Sequence, residues 1–510
     1  MSHRNRREFL ADVGKGMLVA SVGPALAFEL GLVSASAAEG ADRLTFGDRE
    51  PLVGLMQDTP ANQLLPILAE KLKAGTKLED LVAAGALANA RTFGGENYNG
   101  YHAFMALLPS YQMSRELPAE RQALPVLKVL YRNTSFIQNE GGKREVLHPI
   151  AAGDLPKDHA ASEDLCEAAR KRDVKASERI FAAMAKGPIA DAYNSMLPTV
   201  QEEVDVHRTV LAWRAWATLD LVGKENAHTL LRQSVRFCIH EGGKSGSSQI
   251  SALLPKLLDQ YKLVGRPLGA KVADDAWLLH LADTIYRSNR AQGAEAVAAA
   301  LAEGFAPDVI GEAMSLAATK LVLCMPGRTG TQIQPGKPEG SIHGAGVGVH
   351  GADAANAWRN IARVSNARNT VASLIVGAYH TAGQSGGELK ELQPEADVLA
   401  KVTSKDAATL LRNAEGALKE RDLNLCAANV QRYGEQGHDP RRAFDMLLKY
   451  SISEDGALHA EKYYRTVAED FHSTRAAFRW RHLVALARVV ASEYGFPAPA
   501  YKQACELLKV

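Results

Sequence analysis

Helical periodicity is the feature that most constrains the fold of this chain. Apolar residues recur at three- and four-residue spacing through most of its length, in segments such as Leu78–Ala90, Val204–Leu221 and Thr474–Tyr494. Alternating apolar and polar residues bounded by hairpin turns, the pattern of a half-buried strand, are essentially missing. Gly and Pro fall mainly between the helical segments, where they end helices. The sequence therefore predicts an all-α protein.

The helical segments repeat diffusely as helix, Gly-containing loop, helix. One unit surrounds Gly94–Gly100 and a second surrounds Gly242 and Gly243, and both second helices contain Ala-Leu-Leu-Pro, at 106–109 and 252–255. The spacing between units is irregular, which argues against a strict solenoid. We therefore predict an irregular array of antiparallel helix pairs with long Gly-rich loops, whose outline could be curved or toroidal.

Length and composition predict a large core divided into blocks. The chain has 510 residues, of which 46% are hydrophobic, and about 150 residues per domain suggests roughly three units. Polar stretches near 140–175 and 384–405 place a first helical block at 39–150, a central block at 151–395 and a C-terminal block at 396–510. The formal net charge is only +1, so we expect no nucleic-acid partner.

The first 38 residues have the pattern of a targeting signal. They resemble a bacterial twin-arginine signal peptide at Arg6, Arg7, Phe9 and Leu10. An apolar stretch and the small residues 35–37, typical of a cleavage site, follow. The resemblance implies export through the twin-arginine machinery and a periplasmic or extracellular location. The alternative is retention as an N-terminal anchor, although Pro24 and Glu29 interrupt the apolar stretch.

The predicted export route and the spacing of the cysteines indicate which cofactors the chain could carry. Twin-arginine export carries folded proteins, and one common reason to use it is a cofactor inserted before export. The five cysteines are scattered without a CxxC motif, which excludes a zinc ribbon and c-type haem attachment. No stretch after the signal reaches transmembrane length, so we expect no membrane contact once the signal is cleaved.

The Gly-rich loop at 325–351 is the strongest local feature. A loop of this length inside a compact domain is usually functional or disordered. It contains His343 and His350, and Asp353 follows in the next helix. Imidazole and carboxylate are ligands for Fe, Cu, Mn or Zn, so we predict a transition-metal site with ligands His343, His350 and His380. The alternative is a flexible surface loop with solvated histidines.

Further histidines are candidates for proton transfer. If the helix pairs stack antiparallel, their loops lie at one end, and His102, His240, His350 and His380 converge there. We predict His102, His240 and His380 as catalytic residues, because a neutral imidazole serves as a general base near neutral pH. His459 has no supporting neighbours in the sequence, and we interpret it as a surface or structural residue.

Three stretches carry a family resemblance: Gly94–Ala106, Ser341–Ala357 and Asn369–Gly383. Their order resembles the questin oxidase-like all-helical proteins. The resemblance implies a helical scaffold, a histidine-lined pocket that includes the matched His102, His343, His350 and His380, and an oxidative role. In the named member of that family, this role is Baeyer–Villiger-type ring cleavage of an aromatic ketone. This chain is longer and carries an export signal, so the substrate is not carried over.

The sequence thus predicts an exported, metal- or cofactor-dependent oxidoreductase that acts on a small molecule. Two alternatives stay open. One is an exported helical protein that binds a ligand or partner without catalysis. The other is a metal-assisted hydrolase or lyase that uses the same histidines.

Overall fold

The computed structural model describes residues 43–141, 145–155, 160–243, 249–344, 346–386 and 391–510. The predicted signal peptide lies outside these residues. Within them the regular elements are helices, and β-pairing is limited to three isolated bridges. The prediction of an all-α protein is confirmed, while the curved or toroidal outline stays a prediction. No helix in the described part of the chain is both long and apolar enough to cross a bilayer.

Most helices follow one another with short connections, the main exception in the central block being the Gly-rich loop between Leu323 and Val347. Those of the first block are α1 Glu50–Asp58, α2 Ala61–Lys73, α3 Leu78–Phe93, α4 Tyr98–Ser114 and α5 Ala123–Phe136. Those of the central block are α6 Ala161–Arg170, α7 Val174–Met184, α8 Ile189–Gln201, α9 Val206–Ala217, α10 Leu219–Val222, α11 Ala227–Glu241, α12 Gln249–Gln260, α13 Asp275–Arg287, α14 Arg290–Ala302, α15 Pro307–Leu323, α16 Val347–Val364 and α17 Ala367–Thr381. Those of the C-terminal block are α18 Ala396–Lys401, α19 Ala407–Lys419, α20 Leu423–Glu435, α21 Pro440–Ser453, α22 His459–Ser473, α23 Trp480–Glu493 and α24 Tyr501–Leu508.

One hydrophobic core runs through all three blocks. It extends from Phe46 to Ala504 and includes the fully buried indole of Trp358. Helices distant in sequence pack together, α4 against α22 and α5 against α24. The polar stretches used to divide the sequence therefore separate helices that share a core.

The Gly-rich loop ends earlier than the sequence suggests. Gly346 is the N-cap of α16, so the last five residues assigned to the loop form a helix. Gly348 lies inside this helix, where a Cβ atom would meet the backbone Cα of Val322 at 2.9 Å. The glycines at this end of the loop thus permit close packing of α16 on α15, rather than supplying turn flexibility.

Four helices from different parts of the chain begin at one place. α4 packs against α9, α9 against α16, α16 against α22, and α22 against α4. Contacts between α16 and α22 advance in the same direction along both helices, from His350–His459 to Asp353–Thr466 and Asn356–Asp470. α16 and α22 therefore run parallel, in contrast to the antiparallel pairs predicted for neighbours in sequence, and the first turns of all four helices meet.

Candidate functional site

Four histidines, one from the first or second turn of each of these helices, form a closed ring of contacts. We call His102, His207, His350 and His459 the histidine tetrad. The ring centroids lie 4.6 Å apart for His102–His207, 5.4 Å for His207–His350, 5.1 Å for His350–His459 and 5.3 Å for His459–His102. The tetrad is therefore built by tertiary packing of four helix N-termini.

Two of the helices that carry these imidazoles, α9 and α4, begin at a polar N-cap residue. Asp205 is the N-cap of α9 and accepts hydrogen bonds from the backbone N–H groups of His207 at 2.9 Å and Arg208 at 3.0 Å. Asn97 caps α4 through a 2.8 Å bond from the N–H of Gly100. Such caps are each worth about 1 kcal/mol to a helix, so polar residues just before α9 and α4 hold the tetrad's first turns in place.

Hydrogen-bond acceptors determine the protonation of the ring nitrogens. His102 Nδ1 lies 2.7 Å from the carbonyl oxygen of Tyr98, and His459 Nδ1 lies 3.0 Å from that of Ala457. His207 Nδ1 lies 3.4 Å from Asp205 Oδ1. Because these partners only accept, we assign the proton of each ring to Nδ1. The Nε2 atoms of the three rings then carry lone pairs.

One of these lone pairs, that of His459, faces another tetrad ring. His350 Nε2 is 3.0 Å from His459 Nε2, and with His459 protonated on Nδ1 the N–H of His350 donates to His459. The Nε2 atoms of His102 and His207 are buried and have no hydrogen-bond partner among the described residues. Two acceptor nitrogens are therefore free to bind a donor from a ligand.

The surroundings of His102, His350 and His459 disfavour the charged form of these three rings. Burial lowers the pKa of His350 to about 3, and the nearby charge of Lys462 acts in the same direction. Burial, followed by the charge of Lys462, also lowers the pKa values of His102 and His459. The partial positive charge at four helix N-termini further disfavours imidazolium. His102, His350 and His459 are thus neutral, electron-pair-donating rings at physiological pH.

Asp205 makes His207 different from the other three members. Desolvation opposes ionisation of Asp205, but the hydrogen bond to His207, the positive charge of that ring when it is protonated, and the backbone N–H of Arg208 outweigh it and lower the pKa of Asp205 to about 2. An ionised carboxylate beside Nδ1 orients an imidazole and stabilises the imidazolium formed when Nε2 accepts a proton. His207 is therefore the member best placed to act as a general base.

Two ionisable side chains, Lys462 in α22 and Asp353 in α16, follow the tetrad histidines of these helices by about one turn. Lys462, one turn after the start of α22, is buried, and desolvation lowers its pKa to about 8 against the opposing effect of Asp353. Burial raises the pKa of Asp353 to about 6, and its Oδ1 accepts a 2.9 Å hydrogen bond from Thr466 Oγ1. The interior between α16 and α22 is therefore polar and can carry charge next to the histidines.

The rings of Tyr98 and Tyr101 pack against His102 and His207 of the tetrad. The Tyr98 ring lies tilted against His102, with the ring centroids 4.2 Å apart, and Tyr98 is 52% exposed. Tyr101 packs 5.3 Å from His207, whose own side chain is 13% exposed. Tyr98 and His207 therefore form the side of the tetrad nearest to solvent.

The structure brings together only part of the predicted set. His102 and His350 both belong to the tetrad. His240 lies at the end of α11, where its Nε2 is 2.7 Å from Glu96 Oε1. His380 is buried in α17, and its Nδ1 accepts a 3.3 Å hydrogen bond from Trp358 Nε1. Neither has a ring contact or hydrogen bond with a tetrad member among the described residues.

The predicted metal ligands are also placed apart. His343 uses both ring nitrogens, with Nδ1 2.7 Å from Ser492 Oγ and Nε2 2.8 Å from the carbonyl oxygen of Gly336. Within residues 43–510, as far as these are described, no three His, Cys, Asp or Glu side chains are positioned to hold a metal ion. The predicted group of His343, His350 and His380 gains no support, and the side chains as they stand do not form a metal site.

His207 and His459 are the members that sequence reasoning missed. One usable signal was present: Asp205 precedes His207 by two residues at a helix start, which is the pattern of an N-cap next to a first-turn imidazole. His459 gave no such signal, because its helix follows a left-handed residue, Leu458, with φ 66°. Only the packing of α22 against α4 and α16 brings His459 to the others.

The comparisons with known proteins add no relative. No protein-family model, curated protein or solved structure matches this chain.

Proposed function

We propose that this chain is an oxidoreductase acting on a small molecule, with the histidine tetrad as its reaction centre. The observation that supports the proposal is the pair of buried, unpartnered Nε2 atoms of His102 and His207 inside a ring of four imidazoles. Burying a polar atom without a partner is unfavourable by about 1–3 kcal/mol. Two such atoms on neighbouring rings, whose centroids lie 4.6 Å apart, are typical of a site that receives a donor group.

The chemical role proposed for the tetrad is proton removal. His207 Nε2 accepts a proton from an acidic O–H or C–H group of the substrate, and Asp205 stabilises the resulting imidazolium. His102 Nε2 accepts a second hydrogen bond and orients the same group. The substrate anion formed in this way is electron-rich and gives up two electrons, with dioxygen as the final acceptor, which takes up two protons and leaves as hydrogen peroxide. The resemblance to questin oxidase-like proteins, carried in part by His102 and His350, supports oxidation over hydrolysis.

A cofactor requirement remains part of the proposal. Neutral imidazoles with Nδ1 held by an acceptor are the form in which histidine binds Fe, Cu, Mn or Zn. No described group has the geometry for this without side-chain movement. Metal analysis of natively produced protein therefore decides whether the first electron acceptor is a bound metal.

The test combines metal content with turnover. Purified protein would be assayed for Fe, Cu, Mn and Zn and for oxygen consumption with a panel of small organic molecules that carry an acidic O–H or C–H group. We expect His207→Gln to abolish turnover and His280→Gln, a change at an exposed histidine of α13, to leave it intact. Ligand binding by the wild-type chain without turnover of any substrate would instead favour the non-catalytic binding protein.

Export is the second part of the proposal. The twin-arginine pattern at residues 6–10 supports it, and the mass of the mature protein from a bacterial host tests it. Cleavage after residue 37 or 38, lost on Arg6→Lys combined with Arg7→Lys, is the expected result. Full-length protein retained in the membrane fraction would favour the anchor.

A further inference from the structure

A cavity of about 520 Å³ lies at the start of α16, the helix that carries His350. Its walls come from the end of α15, the Gly-rich loop, the first residues of α16 and the turn after α17. Its volume is in the range of pockets that enclose small organic ligands. Gln384 both lines the cavity and approaches Gly351, the residue after His350. The cavity and the tetrad therefore share α16 as a common wall.

The charged residues that line this cavity are all cationic. Arg328 and Lys337 are its only charged lining residues among those described, and no described carboxylate contributes to the electrostatic surroundings of either. Arg328 Nη1 donates instead to the carbonyl oxygen and the hydroxyl of Ser341, each at 3.2 Å. Two half-buried cations without an anion are unfavourable by desolvation and by mutual repulsion. A bound anion would offset both effects.

The Lys337 side chain is held in position by the loop. A tight turn joins Gln334 and Lys337 through backbone hydrogen bonds of 3.1 and 2.8 Å. His343 Nε2 binds the carbonyl oxygen of Gly336 within that turn. The lysine stem passes over Gly344, where a Cβ atom would meet Lys337 Cε at 2.8 Å. The turn, His343 and Gly344 therefore direct this cation toward the cavity.

The first turn of α16 adds to the positive potential. Gly346 and Val347 line the cavity, and the N-cap Gly346 offers no side-chain acceptor to the N–H groups of this 18-residue helix. The start of such a helix carries a partial positive charge that favours anions. The charge of Lys337 also contributes to the lowered pKa values of His350 and His459, which places it within electrostatic range of the tetrad.

We propose that this cavity binds the oxyanion group of a small organic molecule, a carboxylate, sulfonate or phosphate, through Arg328, Lys337 and the start of α16. The bound molecule is the substrate of the tetrad, and this second statement rests on the proposed oxidoreductase function. Anion binding itself does not depend on that function.

The test uses two fluorescent probes that differ by one charge. 8-Anilino-1-naphthalenesulfonate carries a sulfonate, and N-phenyl-1-naphthylamine is the same aromatic skeleton without it. We expect the sulfonate probe to bind the wild-type chain more tightly than the neutral probe, and sodium chloride to weaken only the sulfonate probe. Inorganic phosphate, as a competitor, should displace the sulfonate probe.

Substitutions at the cavity test whether the sulfonate probe binds there. We expect Arg328→Gln and Lys337→Gln each to weaken the sulfonate probe about tenfold or more, the usual effect of losing a charged hydrogen-bond partner. Arg328→Lys, which keeps the charge, should retain most of the affinity. Lys502→Gln removes an equal charge from a side chain that is 92% exposed elsewhere and should change nothing. Circular dichroism and thermal unfolding confirm that each variant is folded.

Two results would overturn the proposal. Equal affinity of folded Arg328→Gln, Lys337→Gln and wild type for the sulfonate probe is one, and equal losses for both probes is the other. His207→Gln separates this proposal from the oxidoreductase function, since it should remove turnover but leave probe binding unchanged. Loss of binding in Lys337→Gln without loss of turnover would remove only the link between cavity and tetrad.

Discussion

His350 Nε2 and His459 Nε2 lie 3.0 Å apart although 109 residues separate them in the chain. Two neutral rings can meet at this distance only if one donates and the other accepts, and the acceptor at His459 Nδ1 makes His350 the donor. Protonating both rings would place two positive charges in contact inside a buried site. The contact therefore requires the neutral state that burial imposes.

The first prediction concerns acid stability. Because the folded-state pKa of His350 is lowered to about 3, the folded chain binds fewer protons than the unfolded chain between about pH 6.5 and 3. The contribution of His350 is fully present above pH 6.5 and is lost as the pH falls toward 3, at up to about 1.4 kcal/mol per pH unit. We expect His350→Gln to reduce the fall in unfolding free energy over this range, measured by urea denaturation. Parallel pH curves for variant and wild type would contradict the prediction.

The second prediction separates the charge of Asp205 from its capping role. Asp205→Asn keeps a good N-cap for α9 but removes the carboxylate beside His207 Nδ1. We expect kcat to fall by about 10²–10⁴-fold, the usual contribution of general acid–base catalysis, with stability changed by less than about 1 kcal/mol. Steady-state kinetics and thermal unfolding on the same samples check both parts. A variant with full activity would remove Asp205 and His207 from the proposed chemistry.

The third prediction concerns the role of His343. Both of its ring nitrogens bond to protein groups, Ser492 Oγ and the carbonyl oxygen of Gly336. We therefore expect His343→Ala to increase hydrogen exchange in the loop at 326–344 and to leave metal content unchanged. His438→Ala is the control, because His438 is a partly exposed histidine that bonds to a backbone carbonyl of another loop. Loss of a stoichiometric metal from His343→Ala would restore the metal-ligand hypothesis.

The fourth prediction uses two helical glycines with opposite surroundings. A Cβ atom at Gly348 would lie 2.9 Å from the Cα of Val322, whereas a Cβ atom at Gly416 in α19 would have no neighbour within 4 Å. We expect Gly348→Ala to destabilise the fold by about 1–3 kcal/mol through overpacking. Gly416→Ala should stabilise it by about 0.5–1 kcal/mol, since alanine loses less backbone entropy in a helix. Equal effects in chemical denaturation would refute close packing of α15 and α16.

The fifth prediction concerns a buried acid. Burial raises the pKa of Glu493 to about 8, and its carboxyl oxygens have no hydrogen-bond partner among the described residues. The folded chain therefore holds a proton that the unfolded chain releases between about pH 4.5 and 8, so this group's contribution to stability decreases as the pH rises through that range. Glu493→Gln, neutral at every pH, should be more stable than wild type at pH 8 and nearly equal to it at pH 4.5. A constant difference across the range would show that the acid does not titrate in this way.

The start positions of α3 and α16 show which helix boundaries the sequence could predict. Periodicity predicted a helix at Leu78–Ala90, and α3 spans Leu78–Phe93, because an apolar face must repeat with the helical period to reach the core. The same reasoning placed the start of α16 too late. Gly348 and Gly351 have low helix propensity, and their close contact with α15, which favours them there, is a tertiary effect.

The grouping of the histidines could be predicted from the sequence only in part. His102 and His350 were selected as site residues because they lie in or beside Gly-containing loops, and both belong to the tetrad. His240, His343 and His380 were selected on the same grounds but bond to Glu96, Ser492 and Trp358. A loop position says that a side chain lies near a helix end, but it does not say which other helix ends are adjacent.

The sequence by itself determined the helical class of this protein and most helix positions, because periodic apolar residues and N-caps act within about one or two turns of chain. Only the tertiary structure decided that α4, α9, α16 and α22 begin at the same point and that His207 and His459 complete the ring. That choice depends on which apolar faces fit together across one shared core. Shape complementarity between helices hundreds of residues apart has no local pattern from which it can be read.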